Sequence, residues 1–142
     1  DPANEPDIAY PYLFSYFKGE EWRTQKETQR LLAKYFTTQP DGIPGNDDTG
    51  TMSAWAIFNM MGFYPDCPGL PEYTLTTPIF DKVTIKLDPK WYKEKELIIT
   101  TARQQPDALY IEDAKLGNKK INRFRITHDE LVHGGCLEFS IK

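Results

Sequence analysis

The chain has 142 residues, with 17 Lys or Arg against 21 Asp or Glu, a formal charge of −4. That balance argues against nucleic acid as a partner, since phosphates call for a basic surface. No run of five basic residues marks a membrane patch, and the apolar stretches fall far short of the roughly 20 residues of a membrane span. The opening Asp1-Pro2-Ala3-Asn4-Glu5-Pro6 lacks the basic start and apolar run of a signal peptide. A hydrophobic content of 39%, with 13% aromatics, suffices for a packed core and excludes a disordered chain. The length suits one domain, or two very small ones.

Residues 8–17 form an aromatic segment, expected to be helical after Pro11, which a first turn tolerates, and to end at Gly19. Over residues 21–36, Trp22, Leu31, Leu32, Tyr35 and Phe36 make one apolar stripe opposite a charged face, the pattern of an amphipathic helix. A loop from Thr37 to Gly50 carries the turn signals Pro40-Asp41-Gly42 and Pro44-Gly45. A third helix is expected from near Thr49 to Met61, stopped by Gly62. Its residues Met52, Ala54, Trp55, Ala56, Ile57, Phe58, Met60 and Met61 leave almost no polar face. A helix apolar all round is buried on every side, and three short helices cannot enclose it. The helical part therefore reads as a piece of a larger helical assembly.

After Cys67-Pro68-Gly69 the period shifts to two. Residues 83–87 alternate, 97–101 are β-branched, and 109–116 with Gly117-Asn118 and 121–126 read as a hairpin. Residues 136–141 alternate again. Five or six strands on short turns predict a small antiparallel sandwich over about residues 67–142, so the fold class is α+β with the two parts segregated. Cys67 and Cys136 are too few for a disulfide scaffold or a thiolate zinc site. They read as ordinary core cysteines or as one bridge, and the redox compartment stays open.

The densest chemistry lies in Asp41-Gly42-Ile43-Pro44-Gly45-Asn46-Asp47-Asp48-Thr49-Gly50, where three carboxylates and an amide precede the buried helix. Oxygen donors of this kind suit a hard cation such as calcium, and a carboxylate there can activate a water. The plainer alternative makes Asp48 or Thr49 the helix N-cap, with Asp47 complementing the helix dipole. Pro44 and the missing bidentate Glu rule out an EF-hand. Asn4-Glu5-Pro6-Asp7 is a second acidic group, or simply a helix start. Trp22 and Trp55 are either sugar-stacking faces or core. His128 lies within Thr127-His128-Asp129-Glu130, a capping-box pattern, and His133 five residues on, which reads as one local turn rather than a metal site.

The string Pro44-Gly45-Asn46-Asp47-Asp48-Thr49-Gly50-Thr51-Met52-Ser53-Ala54-Trp55, followed by Met61-Gly62-Phe63-Tyr64-Pro65 and Cys67-Pro68-Gly69, resembles the C-terminal part of glycoside hydrolase family 92. The likeness extends through Asn4-Glu5-Pro6, Pro11-Tyr12-Leu13, Trp22-Arg23-Thr24-Gln25, Pro71-Glu72-Tyr73, Pro78-Ile79-Phe80-Asp81-Lys82-Val83 and Gly134-Gly135-Cys136-Leu137-Glu138-Phe139. That family consists of calcium-dependent, inverting exo-α-mannosidases. The resemblance implies an (α/α)6 helical barrel whose last helices are residues 1–66, followed by a β-rich domain over 67–142. It implies a general base at Asp48, or second at Asp47, and substrate contacts at Glu5 and Trp22. It also implies calcium held by Asn46, Asp48 and Glu5, and a mannose-containing glycan, α-1,2-linked, as substrate. The general acid is then expected upstream in the same enzyme or in another subunit, and the setting is secreted or periplasmic. The chain departs from the family pattern after Asn4-Glu5-Pro6, where Asp7-Ile8-Ala9-Tyr10 stand in place of histidines. Two other readings are a non-catalytic carbohydrate-binding or structural module of the same fold, and an isolated interaction protein whose apolar helices seek a partner.

Overall fold

The computed structural model describes Pro2 and residues 4–142. Asp1 and Ala3, part of the opening run read for a leader, lie outside the described residues. Four helices and two small sheets give the α+β class expected. No described helix is long and apolar enough to cross a membrane.

The first element is a 3₁₀ helix, Glu5–Tyr16. It begins six residues ahead of Pro11 rather than after it, and Phe17, in an extended conformation, ends it before Gly19 is reached. Pro6 at the start supplies a preset φ and no orphan N–H. The long helix α1, Glu21–Tyr35, buries Leu31 and Leu32 as expected. Trp22, however, leaves the stripe and stands 42% exposed. Two buried positions of α1 are polar: Thr24 and Thr28 are fully buried, and the Thr24 hydroxyl donates to the Pro11 carbonyl of the 3₁₀ helix at 2.8 Å.

Helix α2, Thr51–Met61, ends at Gly62, whose φ of 104° is cheap only for glycine. One face buries Met52, Trp55, Ala56 and Asn59, and Phe58 and Met61 pack against the β core. Ala54 and Ile57 remain exposed, so within this chain α2 is covered on two sides, not on all. Tyr10, Leu13 and Phe17 of the first segment are also exposed, each by more than half.

Strands β1 (Phe63–Tyr64), β2 (Glu72–Leu75) and β7 (Arg125–Thr127) form one antiparallel sheet in the order β1-β2-β7. Strands β3 (Lys82–Lys86), β4 (Glu96–Arg103), β5 (Ile111–Leu116), β6 (Lys119–Lys120) and β8 (Cys136–Ile141) form the other, ordered β3-β4-β8-β5-β6. This sheet is mixed rather than antiparallel, because β8 runs parallel to β4 and antiparallel to β5. Its inward residues Leu137, Phe139 and Ile141 are almost wholly buried, which places the last strand at the centre, paired on both edges. The expected return arm over 121–126 is divided. Two residues pair beyond the Gly117-Asn118 turn, and then the chain crosses to the other sheet. After β7, helix α3, His128–His133, carries the capping box: Glu130 N–H donates to Thr127 Oγ1 at 3.1 Å, and Thr127 N–H to Glu130 Oε2 at 2.9 Å. Cys67 and Cys136 are free thiols, so no bridge joins them.

Two apolar clusters result. One lies among the strands, around Leu75, Ile99, Ile126, Leu137 and Phe139. The other joins Tyr12, Leu31, Leu32, Trp55 and Ala56. Gln25, nearly wholly buried on α1, bridges helices to strands by accepting from the Ile111 N–H at 2.8 Å.

Candidate functional site

The loop between α1 and α2 is tightly wound. Thr37 N–H donates to the Gly42 carbonyl and Gly42 N–H to the Gln39 carbonyl, each at 2.9 Å. A Cβ at residue 42 would collide with the Thr37 carbonyl, so only glycine closes this turn. Further on, Asp48 (φ 47°), Thr49 (φ 61°) and Gly50 (φ 92°) adopt the left-handed conformation in succession. For the two non-glycine residues this is strained backbone, of the kind that gathers at functional sites.

The two neighbouring aspartates have different surroundings. Asp47 is spent on the helix: its Oδ1 accepts from Ser53 N–H at 2.8 Å and its Oδ2 from the Ser53 hydroxyl at 3.0 Å. Its carbonyl accepts from Met52 N–H at 3.1 Å. Asp47 thus performs the capping expected of Asp48 or Thr49, while the N-cap position itself is Gly50, which offers no side chain. The reason is the left-handed run, which turns residues 48–50 out of line and lets Asp47 reach over them to the first turn. Asp48 lends only its carbonyl, to the Thr51 hydroxyl at 2.8 Å. Its carboxylate is exposed and makes no side-chain hydrogen bond or ion pair among the described residues, and the same holds for the Asn46 amide.

Glu5 is exposed at the first position of the 3₁₀ helix. Its charge reaches Tyr64, whose phenol is pushed above the ordinary tyrosine range by burial first, then by Asp66 and Glu5. Tyr64 stacks on Tyr12 with ring centres 4.8 Å apart and lies 6.4 Å from Trp55, so the Glu5 segment and α2 share one aromatic cluster. Trp55 is fully buried, stacked on Phe36 at 5.4 Å, and is core rather than a sugar face. Trp22 sits elsewhere, edge-on to Tyr110 at 6.2 Å, beside a hollow that Phe124 and Lys142 also line.

Asn46, Asp48 and Glu5 are all hard oxygen donors, which is the right chemistry for calcium. Among the described residues, however, no three His, Cys, Asp or Glu side chains come together as a metal-binding group. The described residues therefore do not make a metal site by themselves, and any calcium held here would need further ligands from elsewhere.

One feature of this region escaped the sequence reading. Asn59, the lone polar residue in the buried half of α2, meets Tyr12 at 2.9 Å through Oδ1 and 2.6 Å through Nδ2. An amide inside an otherwise apolar helix was the signal available for it.

Compared with known proteins, the chain falls among the glycosyl hydrolases: residues 1–142 match the model of a catalytic domain throughout. The family is glycosyl hydrolase family 92, and the chain belongs to it. An "uncharacterized secreted glycosidase" of Arthroderma benhamiae is 31% identical over 139 residues, covering 98% of this chain and 18% of that protein. The structure of a family GH92 α-mannosidase from Bacteroides thetaiotaomicron in complex with mannoimidazole superposes with a TM-score of 0.88 at 31% identity, covering 99% of this chain and 18% of that one. A family GH92 inverting mannosidase from the same species gives a TM-score of 0.84 at 36% identity, with the same coverage. The chain therefore spans under a fifth of the length of each of these three relatives.

Proposed function

We propose that the chain is the C-terminal part of a calcium-dependent, inverting exo-α-mannosidase, and that Asp48 is its general base. The observation that carries this reading is the contrast between Asp47, held by two hydrogen bonds to Ser53, and Asp48, exposed and free on left-handed backbone. A base must accept a proton from water, so a carboxylate already engaged by two donors is the poorer candidate. In an inverting hydrolysis, Asp48 takes a proton from a water as that water's oxygen attacks the anomeric carbon. The bond to the leaving oxygen breaks at the same time, and that oxygen is protonated by an acid roughly 6.5–9.5 Å away. The acid belongs to the upstream part of the enzyme or to another subunit.

Asn46, Asp48 and Glu5 are the residues that would hold calcium, which when bound supplies a positive centre for two neighbouring sugar hydroxyls. Glu5 also stands as a substrate contact. Trp22 is the weakest of the site residues, because it packs edge-on to Tyr110 beside the strands. On this reading residues 1–66 close an (α/α)6 barrel, which would cover Ala54 and Ile57 of α2, and residues 67–142 form a β-rich domain behind it. A mannose-containing glycan with α-1,2 linkages, met outside the cell or in the periplasm, is the substrate.

The test is release of mannose from α-1,2-linked mannobiose by the full-length enzyme, with the product anomer followed by NMR. Calcium-dependent release of β-mannose is expected. Release unaffected by a chelator would remove the metal, and no release would favour the non-catalytic module.

A further inference from the structure

We infer that the buried Tyr12–Asn59 pair is the joint that sets the Glu5-bearing 3₁₀ helix against α2, the helix led by Asp48, and that both are positioning residues for the site. This rests on the reading of Glu5 and Asp48 given above. The two side chains lie 47 residues apart in sequence and are each 0% exposed. The phenol donates to Asn59 Oδ1, Asn59 Nδ2 reaches the same phenol oxygen, and Nδ2 also donates to the Trp55 carbonyl at 2.8 Å. Every polar atom of the pair is thereby satisfied, which a buried pair requires. Tyr64 stacks on the Tyr12 ring, and Thr24 of α1 donates to the carbonyl of the preceding Pro11.

Directionality is what an apolar contact could not supply here. A 3₁₀ helix has poorer internal hydrogen bonds than an α-helix and is prone to slide or unwind unless fixed from outside. Burial pushes the Tyr12 phenol well above its ordinary range, so the joint stays protonated and does not vary with pH over the working range.

The experiment compares Tyr12→Phe, Asn59→Leu and the double variant in the full-length enzyme. Each single change strands a buried polar partner and should lower the melting temperature, whereas the double change removes both and should restore much of it. Hydrogen exchange, followed at a temperature where every variant is folded, then decides. Faster exchange in both residues 7–17 and residues 51–56, persisting in the double variant with at least a tenfold loss in kcat/KM, is expected. Exchange raised in one segment alone, or a double variant with kcat/KM within twofold of the parent, would overturn the joint. An inactive parent, or an Asp48→Asn variant with normal turnover, would instead count against the mannosidase reading, and the exchange result would still judge the joint.

Discussion

Arg125 and Asp66 meet at 3.2 Å in a nearly closed environment, the Asp66 side chain 2% and the Arg125 side chain 20% exposed. Around them, Tyr16 donates its hydroxyl to Asp66 Oδ2 at 2.9 Å and Thr74 donates to Oδ1 at 2.6 Å. The guanidinium lies 4.2 Å over the Tyr16 ring and donates to the Ser15 hydroxyl at 3.2 Å. One ion pair thus ties the end of the 3₁₀ helix to β2, to β7 and to the segment after β1.

Breaking such a pair from one side costs more than its absence would, because a buried charge is left without its partner. Arg125→Met should therefore lower the unfolding free energy by about 3 kcal/mol, read from the denaturant midpoint at constant slope. A change below about 1 kcal/mol would mean the pair behaves like an exposed one.

The capping box makes a prediction about acid. The Glu130 carboxyl is held down to about 2 by the Thr127 backbone N–H first and by Arg123 second. Its folded value lies below its unfolded one, so its stabilisation is complete above the ordinary carboxylate range and fades as the pH falls towards 2. The side chain is 43% exposed, and solvent screening keeps the gain under about 1 kcal/mol. Carboxyl NMR titration should find Glu130 protonating well below the ordinary glutamate range; titration within that range would refute it.

Asp47 should matter to folding more than its neighbour does. Removing its two bonds to Ser53 in Asp47→Ala should cost about 1–2 kcal/mol, as for other helix caps. Asp48→Asn should leave the melting temperature within a degree or two, since asparagine tolerates the left-handed conformation and no side-chain bond is lost.

Much of this was legible from local chemistry. Gly62 stops α2, Gly117-Asn118 turns the hairpin, Thr127 and Glu130 form the box, and 136–141 alternate as a strand. Each signal acts within a few residues, where periodicity and turn chemistry apply. What failed was non-local. No alternation tells β8 to enter between β4 and β5, and nothing near residue 66 names Arg125 as its partner. Trp22 fits the α1 stripe by spacing, yet tertiary packing gave the buried face to Thr24, Gln25 and Thr28. The acidic loop was found as a composition. The different surroundings of Asp47 and Asp48 follow from the left-handed run that begins at Asp48, which the sequence marks only at Gly50.

The most direct test of the general base is the turnover of α-1,2-linked mannobiose by the full-length enzyme with Asp48→Asn, beside Asp47→Asn, at saturating calcium. A loss of several orders of magnitude in kcat for Asp48→Asn, with Asp47→Asn affected mainly in stability, is the result predicted. Near-normal turnover by Asp48→Asn, or the larger loss at Asp47, would contradict it.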